Sequence, residues 1–293
     1  MRIVIKIGSS ILAHEGGVNT PLITGLVEEV ARLHGAGHAS LIVTSGARVI
    51  GKARLNHHGL AKAVYASVGQ AELMRLYCSL FSKSGITAAQ LLLSPNSFKD
   101  RDRYESLRKT MLSLLNERVI PIINENDVTS LKDSFGDNDS LAAMVAVIVS
   151  AERLIYLTNI DGVYTGDPRK DSSEQLISTV ESVDLQIQKM GSSEPSRLGQ
   201  GGMLSKLRGA KLAVTCGIAT YIISGLDPKN LTRLLLEGER VGTRVLPHDA
   251  KVSERKKWLM IGATSLAKVV VDKGARLALE KKGSLLAVGI RRV

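Results

Sequence analysis

Apolar residues recur with two spacings along the first half of the chain, and their order predicts alternating strands and helices. Residues 2–7 form a short apolar run that is typical of a buried strand, and residues 39–44 form a second one. Between them, apolar residues recur with helical spacing after the capping triplet 19–21 and stop at Gly35 and Gly37. We therefore predict a βαβ unit whose ligand-facing loops follow the carboxyl ends of parallel strands.

The same alternation continues beyond this unit. Residues 172–197 interrupt it, because they are polar and irregular, and we interpret them as a flexible excursion. The further predicted strands are 88–93, 119–123 and 154–158, and the further predicted helices are 60–84, 104–116, 141–151 and one that follows residue 206, with Leu207, Ala210 and Val214 on one face.

Length and composition indicate a globular α/β protein. The 293 residues, 44% of them hydrophobic and 23% charged, suit one large domain or a domain with a small appendage. The longest uncharged apolar run, 141–149, is too short to cross a bilayer, and Arg2 and Lys6 lie inside the first apolar stretch, unlike the charges of a secretory signal. Cys78 and Cys216 have no metal-ligand spacing, so we expect buried thiols in a reducing, cytoplasmic compartment and no membrane span.

The formal net charge of +11 is concentrated at one end of the chain. Residues 251–293 contain 11 Lys and Arg against 3 Asp and Glu, so the first 250 residues are close to balanced. A basic patch confined to a tail characterises the tail, and it does not make the main domain a nucleic-acid-binding protein.

Two glycine-containing loops carry a lysine and are typical of phosphate binding. The first is Gly8-Ser9-Ser10 after the first strand, with Lys6 beside it, and it lacks the glycine spacing of a Walker A loop. The second, residues 198–206, opens a helix and places Lys206 in the first turn. Because a lysine there opposes the helix macrodipole, an anionic ligand explains it better than helix propensity does.

Residues 124–139 form a dense carboxylate and amide cluster between two apolar segments. Loops at the ends of the strands of a rigid sheet are where binding chemistry collects. Asn and Asp also serve ordinary turns and helix caps, so the cluster alone leaves both interpretations open. Together with the two lysine loops it favours an enzyme of phosphoryl transfer, since convergent polar groups on a sheet edge mark a site.

These segments resemble the glutamate 5-kinases of the amino acid kinase superfamily across almost all of residues 1–250. The pair Asn-Glu-Asn-Asp at 124–127 and Gly-Asp-Asn-Asp at 136–139 is specific to that branch of the superfamily. The other matching segments are 5–10, 43–47, 157–158, 162–165, 167–169 and 201–206.

The resemblance implies a three-layer αβα sandwich around a mainly parallel sheet. It also implies ATP-dependent phosphorylation of the L-glutamate side-chain carboxylate to L-glutamyl 5-phosphate, the first step of proline biosynthesis. Lys6 and Lys206 would neutralise the transferring phosphoryl group, and Asp139 would hold both lysines in place. Mg²⁺ would accompany ATP, and no protein metal ligands are assigned. A homo-oligomer, dimer or tetramer, is implied too, and feedback inhibition by proline is compatible with the resemblance.

The resemblance also assigns the binding residues. The reaction needs charge neutralisation and alignment, and it needs no general base because the attacking carboxylate is already ionised. The residues assigned to L-glutamate are Ser45, Asn124, Asp127, Asp137 and Asn138, and those assigned to the nucleotide are Lys6, Gly8, Ser9, Thr158, Asn159, Gln200, Gly201, Gly202, Met203, Leu204, Ser205 and Lys206.

Two positions and the tail depart from the family pattern. Asn159 stands where the family more often has Asp, and Gln200 stands where a small hydroxyl residue is expected, so both bear on nucleotide affinity. Residues 255–275 resemble the opening of a PUA domain, an RNA-binding type of module, but the chain ends before such a domain would be complete. We therefore divide the chain into a kinase domain, 1–250, and a basic, partial PUA-like segment, 251–293.

Two classes of alternative function remain. An enzyme of the same fold could act on uridylate, carbamate, aspartate or N-acetylglutamate. Residues 124–139 hold five acidic residues against one lysine, which disfavours a phosphorylated acceptor such as uridylate and favours one with an ammonium group. The other class is an RNA-associated binding protein, which the basic tail favours. That tail has few aromatic residues apart from Trp258, and such charge runs are usually solvated surfaces.

Overall fold

A computed structural model provides the structure of the protein. It describes residues 1–14, 17–57, 59–129, 135, 137–168, 171, 173–190, 202–249, 252–262, 269–281 and 283–292. Among these residues, none of the helices is both long enough and apolar enough to span a membrane.

Through the first 225 residues, the strands and helices that the apolar pattern predicts are present, together with further, mostly shorter elements that it does not predict. The strands are β1 (Arg2–Ile7), β2 (Ala13–His14), β3 (Gly17–Val18), β4 (Ala39–Val43), β5 (Ala88–Leu93), β6 (Ile120–Glu125), β7 (Arg153–Thr158), β8 (Thr179–Val180), β9 (Ala219–Ser224), β10 (Thr243–Val245), β11 (Val270–Val271) and β12 (Ile290–Arg292). The helices are α1 (Ser9–Leu12), α2 (Thr20–Gly35), α3 (Ala47–Leu55), α4 (Lys62–Ser82), α5 (Asn96–Lys99), α6 (Arg101–Asn116), α7 (Asn138–Ile148), α8 (Leu185–Met190), α9 (Met203–Thr215), α10 (Asn230–Leu235), α11 (Glu254–Gly262) and α12 (Lys273–Glu280).

The described strands form a central sheet of eight, in the order β5-β6-β4-β1-β7-β9-β10-β8. Neighbouring strands are parallel except for β9 and β10. After β6 the chain passes to the other side of β1 through α7. The strand order therefore reverses around β1, and such a switch point is where α/β sheets bind ligands.

The register brings the carboxyl ends of the central strands to one edge. Lys6 of β1 aligns with Val43 of β4 and with Tyr156 of β7. Val43 aligns in turn with Ile123 of β6. A polar segment begins within one or two residues after each of these aligned positions. These polar segments therefore lie close together at the carboxyl edge of the sheet.

Alternation along β1 divides its side chains between two helical layers. Val4 packs with the apolar residues of α7 and α9, whereas Ile3 and Ile5 pack with those of α2 and α4. Because successive strand residues face opposite sides of the sheet, Lys6 faces the layer of α7 and α9. Helices on both faces of a mainly parallel sheet confirm the predicted three-layer αβα sandwich.

Helix α7 begins three residues earlier than the apolar pattern predicts. The side chain of Asp137 caps it by accepting a hydrogen bond from the backbone N–H of Ser140 at 2.8 Å. An acidic residue in the first turn also suits the helix macrodipole. Asn138 and Asp139 therefore belong to the rigid first turn of a helix and not to a loop.

Two other expectations from the sequence need correction. The segment 172–197 was interpreted as an irregular excursion, but its described part, 173–190, contains the short helix α8 and β8, which pairs with β10 at the edge of the main sheet. Residues 172 and 191–197 lie outside the described residues. Cys78 was expected to be buried, but it lies on an outward-facing side of α4 and is exposed, while Cys216 is half-buried; both are free thiols.

The basic tail begins with a helix that packs against the main core. In α11, Ile261 is buried and Trp258 packs against the same apolar cluster as α7. The buried Lys257 donates a hydrogen bond to Ser150 Oγ at 2.8 Å and pairs with Glu254 at 2.7 Å. The division of the chain at residue 250 and the PUA-like character of the tail stay predictions.

Candidate active site

Two lysines from distant parts of the sequence meet on one carboxylate. The Nζ atom of Lys6, on β1, lies 2.6 Å from Oδ1 of Asp139, and the Nζ atom of Lys206, on α9, lies 3.1 Å from Oδ2 of the same residue. The side chains are almost fully buried, with 5%, 7% and 0% of Lys6, Lys206 and Asp139 exposed. Ser205 also donates to Oδ2 through its hydroxyl group. The structure thus brings together the three residues that were predicted to be catalytic.

Burial and charge act against each other at this cluster. Burial by itself would raise the pKa of the Asp139 carboxyl group, but the two neighbouring ammonium groups lower that pKa to about 2. Burial lowers the pKa of Lys6, and the attraction of Asp139 partly offsets this change. A single carboxylate thus faces two buried lysine side chains. The cluster therefore suits an additional anion.

Close packing between α7 and α9 fixes the position of this cluster. The hydroxyl group of Tyr156, on β7, donates to the backbone oxygen of Asp139 at 2.9 Å. A Cβ atom on Gly209 of α9 would lie 2.2 Å from that hydroxyl oxygen, which is closer than non-bonded atoms approach. Only glycine therefore lets α9 approach the Tyr156 hydroxyl group and Asp139 this closely.

A chain of amide groups lies at the carboxyl ends of β4 and β6. Asn138 Nδ2 donates to the backbone oxygen of Thr44 at 2.6 Å, to Ser45 Oγ at 3.0 Å and to Asn124 Oδ1 at 2.8 Å. Asn124 Nδ2 then donates to Gln70 Oε1, on α4, at 2.8 Å. The structure thus joins three residues predicted to bind the acceptor, Ser45, Asn124 and Asn138, into one hydrogen-bonded network.

The two remaining residues of the predicted acceptor site are half-buried carboxylates. Burial raises the pKa of Asp127, while Arg48, whose Nε atom lies 3.9 Å from Asp127 Oδ1, opposes that change. Burial also raises the pKa of Asp137, although its hydrogen bond from Ser140 opposes the change. Asp137 therefore has a structural task, as the cap of α7, besides any contact with a ligand.

The predicted nucleotide-binding residues lie around the lysines as far as the structure describes them. Gly8 and Ser9 follow β1 directly, and an added Cβ atom at Gly8 would lie 3.4 Å from Lys6 Nζ. Thr158 ends β7 and is buried, and Asn159 after it is exposed. Gly202, Met203 and Leu204 open α9 ahead of Ser205 and Lys206. Gln200 and Gly201 lie outside the described residues.

Four residues of the site have no sequence signal of their own. Gln70 and Arg48 lie on helices whose spacing says nothing of a ligand, and Tyr156 and Gly209 look like ordinary strand and helix residues. Cross-strand register could have indicated Tyr156, because it aligns with Lys6. No pattern in the sequence points to Gln70, whose position depends on how the consecutive helices α3 and α4 cross.

Comparison with known proteins shows the family of this chain. The model of the amino acid kinase family matches residues 1–224, so the fold and the site define an amino acid kinase. A glutamate 5-kinase of Methylibium petroleiphilum is 40% identical over 300 residues, which cover 100% of this chain and 80% of that protein. One from Chromobacterium violaceum is 39% identical, with the same shares covered. Within the amino acid kinases, the chain belongs to the glutamate 5-kinase family.

A solved structure supports the fold. Carbamate kinase from Giardia lamblia bound to AMP-PNP aligns with a TM-score of 0.63 and 13% identity, and the alignment covers 84% of this chain and 98% of that one. At this identity the likeness concerns the fold alone.

Proposed function

We propose that the protein transfers the γ-phosphoryl group of ATP to the side-chain carboxylate of L-glutamate. The product is L-glutamyl 5-phosphate, and the reaction is the first step of proline biosynthesis. The observation that supports this most directly is the convergence of two buried ammonium groups on Asp139, beside an acidic and amide-rich pocket. Membership of the glutamate 5-kinase family supports the choice of acceptor.

The phosphoryl group passes directly from ATP to the acceptor, without a covalent enzyme intermediate. An oxygen of the acceptor carboxylate forms a bond to the γ-phosphorus atom, and the bond from that phosphorus to the bridging oxygen of ADP breaks. Lys6 and Lys206 offset the negative charge of the reacting oxygens, and Asp139 keeps both lysines in position. No proton has to leave the acceptor, because its carboxylate is ionised at neutral pH.

The residues present fit the phosphate end of ATP. Glycine at position 8 leaves space beside the ammonium group of Lys6 that a side chain would narrow. Helix α9 begins at Met203, and its N-cap Gly202 has no side chain to cap it, so the N–H groups of its first turn remain for phosphate oxygens. Thr158, Asn159 and the predicted loop residues Gln200 and Gly201 would complete the nucleotide site.

Mg²⁺ would reach the site with the nucleotide. Among the described residues, no group of three or more His, Cys, Asp or Glu side chains could hold a metal ion. Mg²⁺ usually binds through one or two carboxylates and substrate phosphates, and there it would neutralise charge on the phosphates.

The acceptor pocket suits an amino acid. Asp127 and Asp137 offer carboxylates to the substrate ammonium group, and Ser45, Asn124 and Asn138 offer hydroxyl and amide groups to its oxygens. We further propose a cytoplasmic homo-oligomer, and inhibition by proline through competition for this pocket.

A panel of acceptors tests the proposal. ADP release would be measured with ATP and L-glutamate, L-aspartate, carbamate, N-acetyl-L-glutamate or UMP, and the acyl phosphate product would be trapped with hydroxylamine. We expect L-glutamate to give the highest kcat/KM and a hydroxamate. A preference for any other acceptor, or ADP release without a trapped product, would refute the proposal.

A further inference from the structure

The amide network at the acceptor pocket reaches a residue that the proposed reaction does not use. Gln70 lies on α4, is 9% exposed, and accepts a hydrogen bond from Asn124 Nδ2 through its Oε1 atom. Asn124 in turn binds Asn138, whose amide group touches Ser45 and the backbone of Thr44. Gln70 therefore lies at the inner end of a network whose other end forms the pocket.

Backbone groups fix the direction of every amide in this network. The backbone oxygen of Thr44 can only accept, so the nitrogen of Asn138 must face it. The backbone N–H of Glu125 can only donate, and it donates to Asn124 Oδ1 at 2.9 Å. Asn124 must then turn its nitrogen towards Gln70, and Gln70 must present its oxygen. The orientation of Asn124 thus needs an acceptor at position 70.

The crossing of α3 and α4 brings Gln70 to this place. An added Cβ atom at Gly69 would lie 1.7 Å from the backbone oxygen of Ala47, and one at Gly51 would lie 1.8 Å from that of Tyr65. The two helices therefore touch backbone to backbone at these glycines. This contact holds α4 against α3, which follows Ser45 and Gly46 at the pocket.

Gln70 is a costly choice for stability alone. Its Nε2 atom is buried and has no hydrogen-bond partner among the described residues. Burying an unsatisfied donor destabilises a fold. An apolar side chain of similar size would carry no such donor, although it would leave Asn124 Nδ2 without an acceptor. Residues that break a rule of stability in this way are expected at functional sites.

We propose that Gln70 is a positioning residue for the phosphoryl acceptor, because it holds Asn124 in the orientation that presents the Asn124 oxygen to Asn138. The inference rests on the proposed function, since it concerns the acceptor pocket of that reaction. In this role Gln70 acts through its hydrogen bond with Asn124.

Two substitutions separate the role of the acceptor oxygen from that of side-chain bulk. Gln70→Met keeps the size but removes the oxygen, so Asn124 Nδ2 loses its acceptor and only the bonds to Asn124 Oδ1 still hold this side chain. We expect KM for L-glutamate to rise about ten- to a hundredfold, with KM for ATP and kcat within about threefold of wild type. Gln70→Glu keeps an acceptor oxygen in either protonation state, so we expect KM for L-glutamate within about fivefold of wild type. Gln175→Met repeats the chemical change at an exposed glutamine and serves as the control.

A double-mutant cycle with Asn124→Ala decides whether Gln70 acts through Asn124. If it does, Gln70→Met raises KM for L-glutamate in the wild-type background and changes it less than about twofold in the Asn124→Ala background. Thermal unfolding accompanies each variant, and we expect Gln70→Met to unfold within a few degrees of wild type, because it removes one unsatisfied donor and creates another.

Additive effects in the cycle, or a failure of Gln70→Glu to restore KM, would overturn the inference. Should Gln70→Met not fold, Gln70→Asn takes its place, since it withdraws the oxygen by one methylene and carries the same expectation. Wild-type turnover with L-glutamate is measured in the same assay, so an additive cycle in an active enzyme refutes the role of Gln70 alone. If wild type prefers another acceptor of the panel, the proposed function fails and the cycle is run with that acceptor.

Discussion

The two halves of the candidate site are built from different interactions. The ionic half, consisting of Lys6, Asp139 and Lys206, is held by charge in an almost fully buried environment. The amide half, consisting of Ser45, Asn124, Asn138 and Gln70, is held by neutral hydrogen bonds with fixed directions. Charge acts over distance without regard to direction, which suits the neutralisation of a phosphoryl group. Directed hydrogen bonds suit the recognition of one acceptor by its shape.

This difference predicts different consequences of mutation. Changes in the ionic half should lower turnover and stability together, because each buried charge depends on the others. Changes in the amide half should mainly raise the KM for the acceptor.

The largest effect is expected from Asp139→Asn. Removing the carboxylate leaves two buried ammonium groups without a counter-charge, so we expect a loss of about 3–5 kcal/mol in the free energy of unfolding and of nearly all turnover. The folded-state pKa of about 2 lies below the usual Asp value. Asp139 therefore stabilises the fold above that usual value and stops doing so as the pH falls towards 2. Urea unfolding at several pH values measures this, and an unchanged midpoint would contradict it.

Lys206→Ala should abolish turnover while L-glutamate binding stays measurable. The loss of one charge from the transition state is expected to lower kcat by at least about 10³-fold. Calorimetric titration with L-glutamate and steady-state kinetics test the two parts separately. Lys211→Ala, at an exposed position of the same helix, should leave both unchanged. Full turnover in Lys206→Ala would remove this lysine from the catalytic role.

Asp127→Ala should raise KM for L-glutamate about ten- to a hundredfold and leave KM for ATP near the wild-type value. The reason is that a charged hydrogen bond to the substrate ammonium group is lost while the ionic half stays intact. Asp249→Ala, at an exposed position, is the control. A rise in KM for ATP with an unchanged KM for L-glutamate would contradict the prediction, because Asp127 would then belong to the nucleotide site.

Gly209→Ala tests how closely α9 must approach α7. The new methyl group would meet the Tyr156 hydroxyl group 2.2 Å away, so we expect a loss of about 1–3 kcal/mol in stability and a lower kcat. Gly35→Ala is the control, because a Cβ atom added there, at the end of α2, would meet no atom within 4 Å. It should leave kcat within experimental error of wild type, and stability unchanged or slightly higher. Equal results for the two variants would contradict the close contact.

The smallest effect is expected from Arg48→Met. Burial raises the pKa of Asp127 and Arg48 opposes the change, so removal of the guanidinium group should raise that pKa further. The acidic limb of the pH profile of kcat/KM for L-glutamate should move to higher pH, because Asp127 must be ionised to bind an ammonium group. Well above that limb the loss should be at most about fivefold, as for other partly exposed ion pairs. Arg54→Met, exposed on the same helix, should leave the profile in place.

The sequence predicts the elements that have a repeating apolar face, such as α2, α4 and the central strands. The two lysine loops and the polar cluster indicate phosphoryl transfer, and the resemblance to glutamate 5-kinases implies that Lys6, Lys206 and Asp139 converge. Helix α3 was missed, since Gly51 and three charged residues interrupt its short apolar pattern and the backbone contact at Gly51 and Gly69 stabilises it from outside. The pairing of Gln70 with Asn124 was equally out of reach, because it depends on where α4 comes to lie.

The start of α7 illustrates a second kind of limit. Apolar spacing locates the buried face of a helix, but the first turn is polar and is set by capping. The prediction therefore placed Asn138 and Asp139 in a loop, although Asp137 caps a helix that already contains them. The exposure of Cys78 has a similar cause, because a residue type does not reveal which side of a long helix it occupies.

The alternation of β1 has a consequence for the fidelity of folding. If that strand shifted by one residue against its neighbours, the side chain of Lys6 would point into the hydrophobic layer beneath α2 and α4. The described side chains of the packed cluster there are hydrophobic. An ammonium ion stranded there would be penalised severely, whereas the isoleucines and valine could exchange sides with little loss. Lys6, which serves the proposed chemistry, thus also disfavours a wrong register of the central strand.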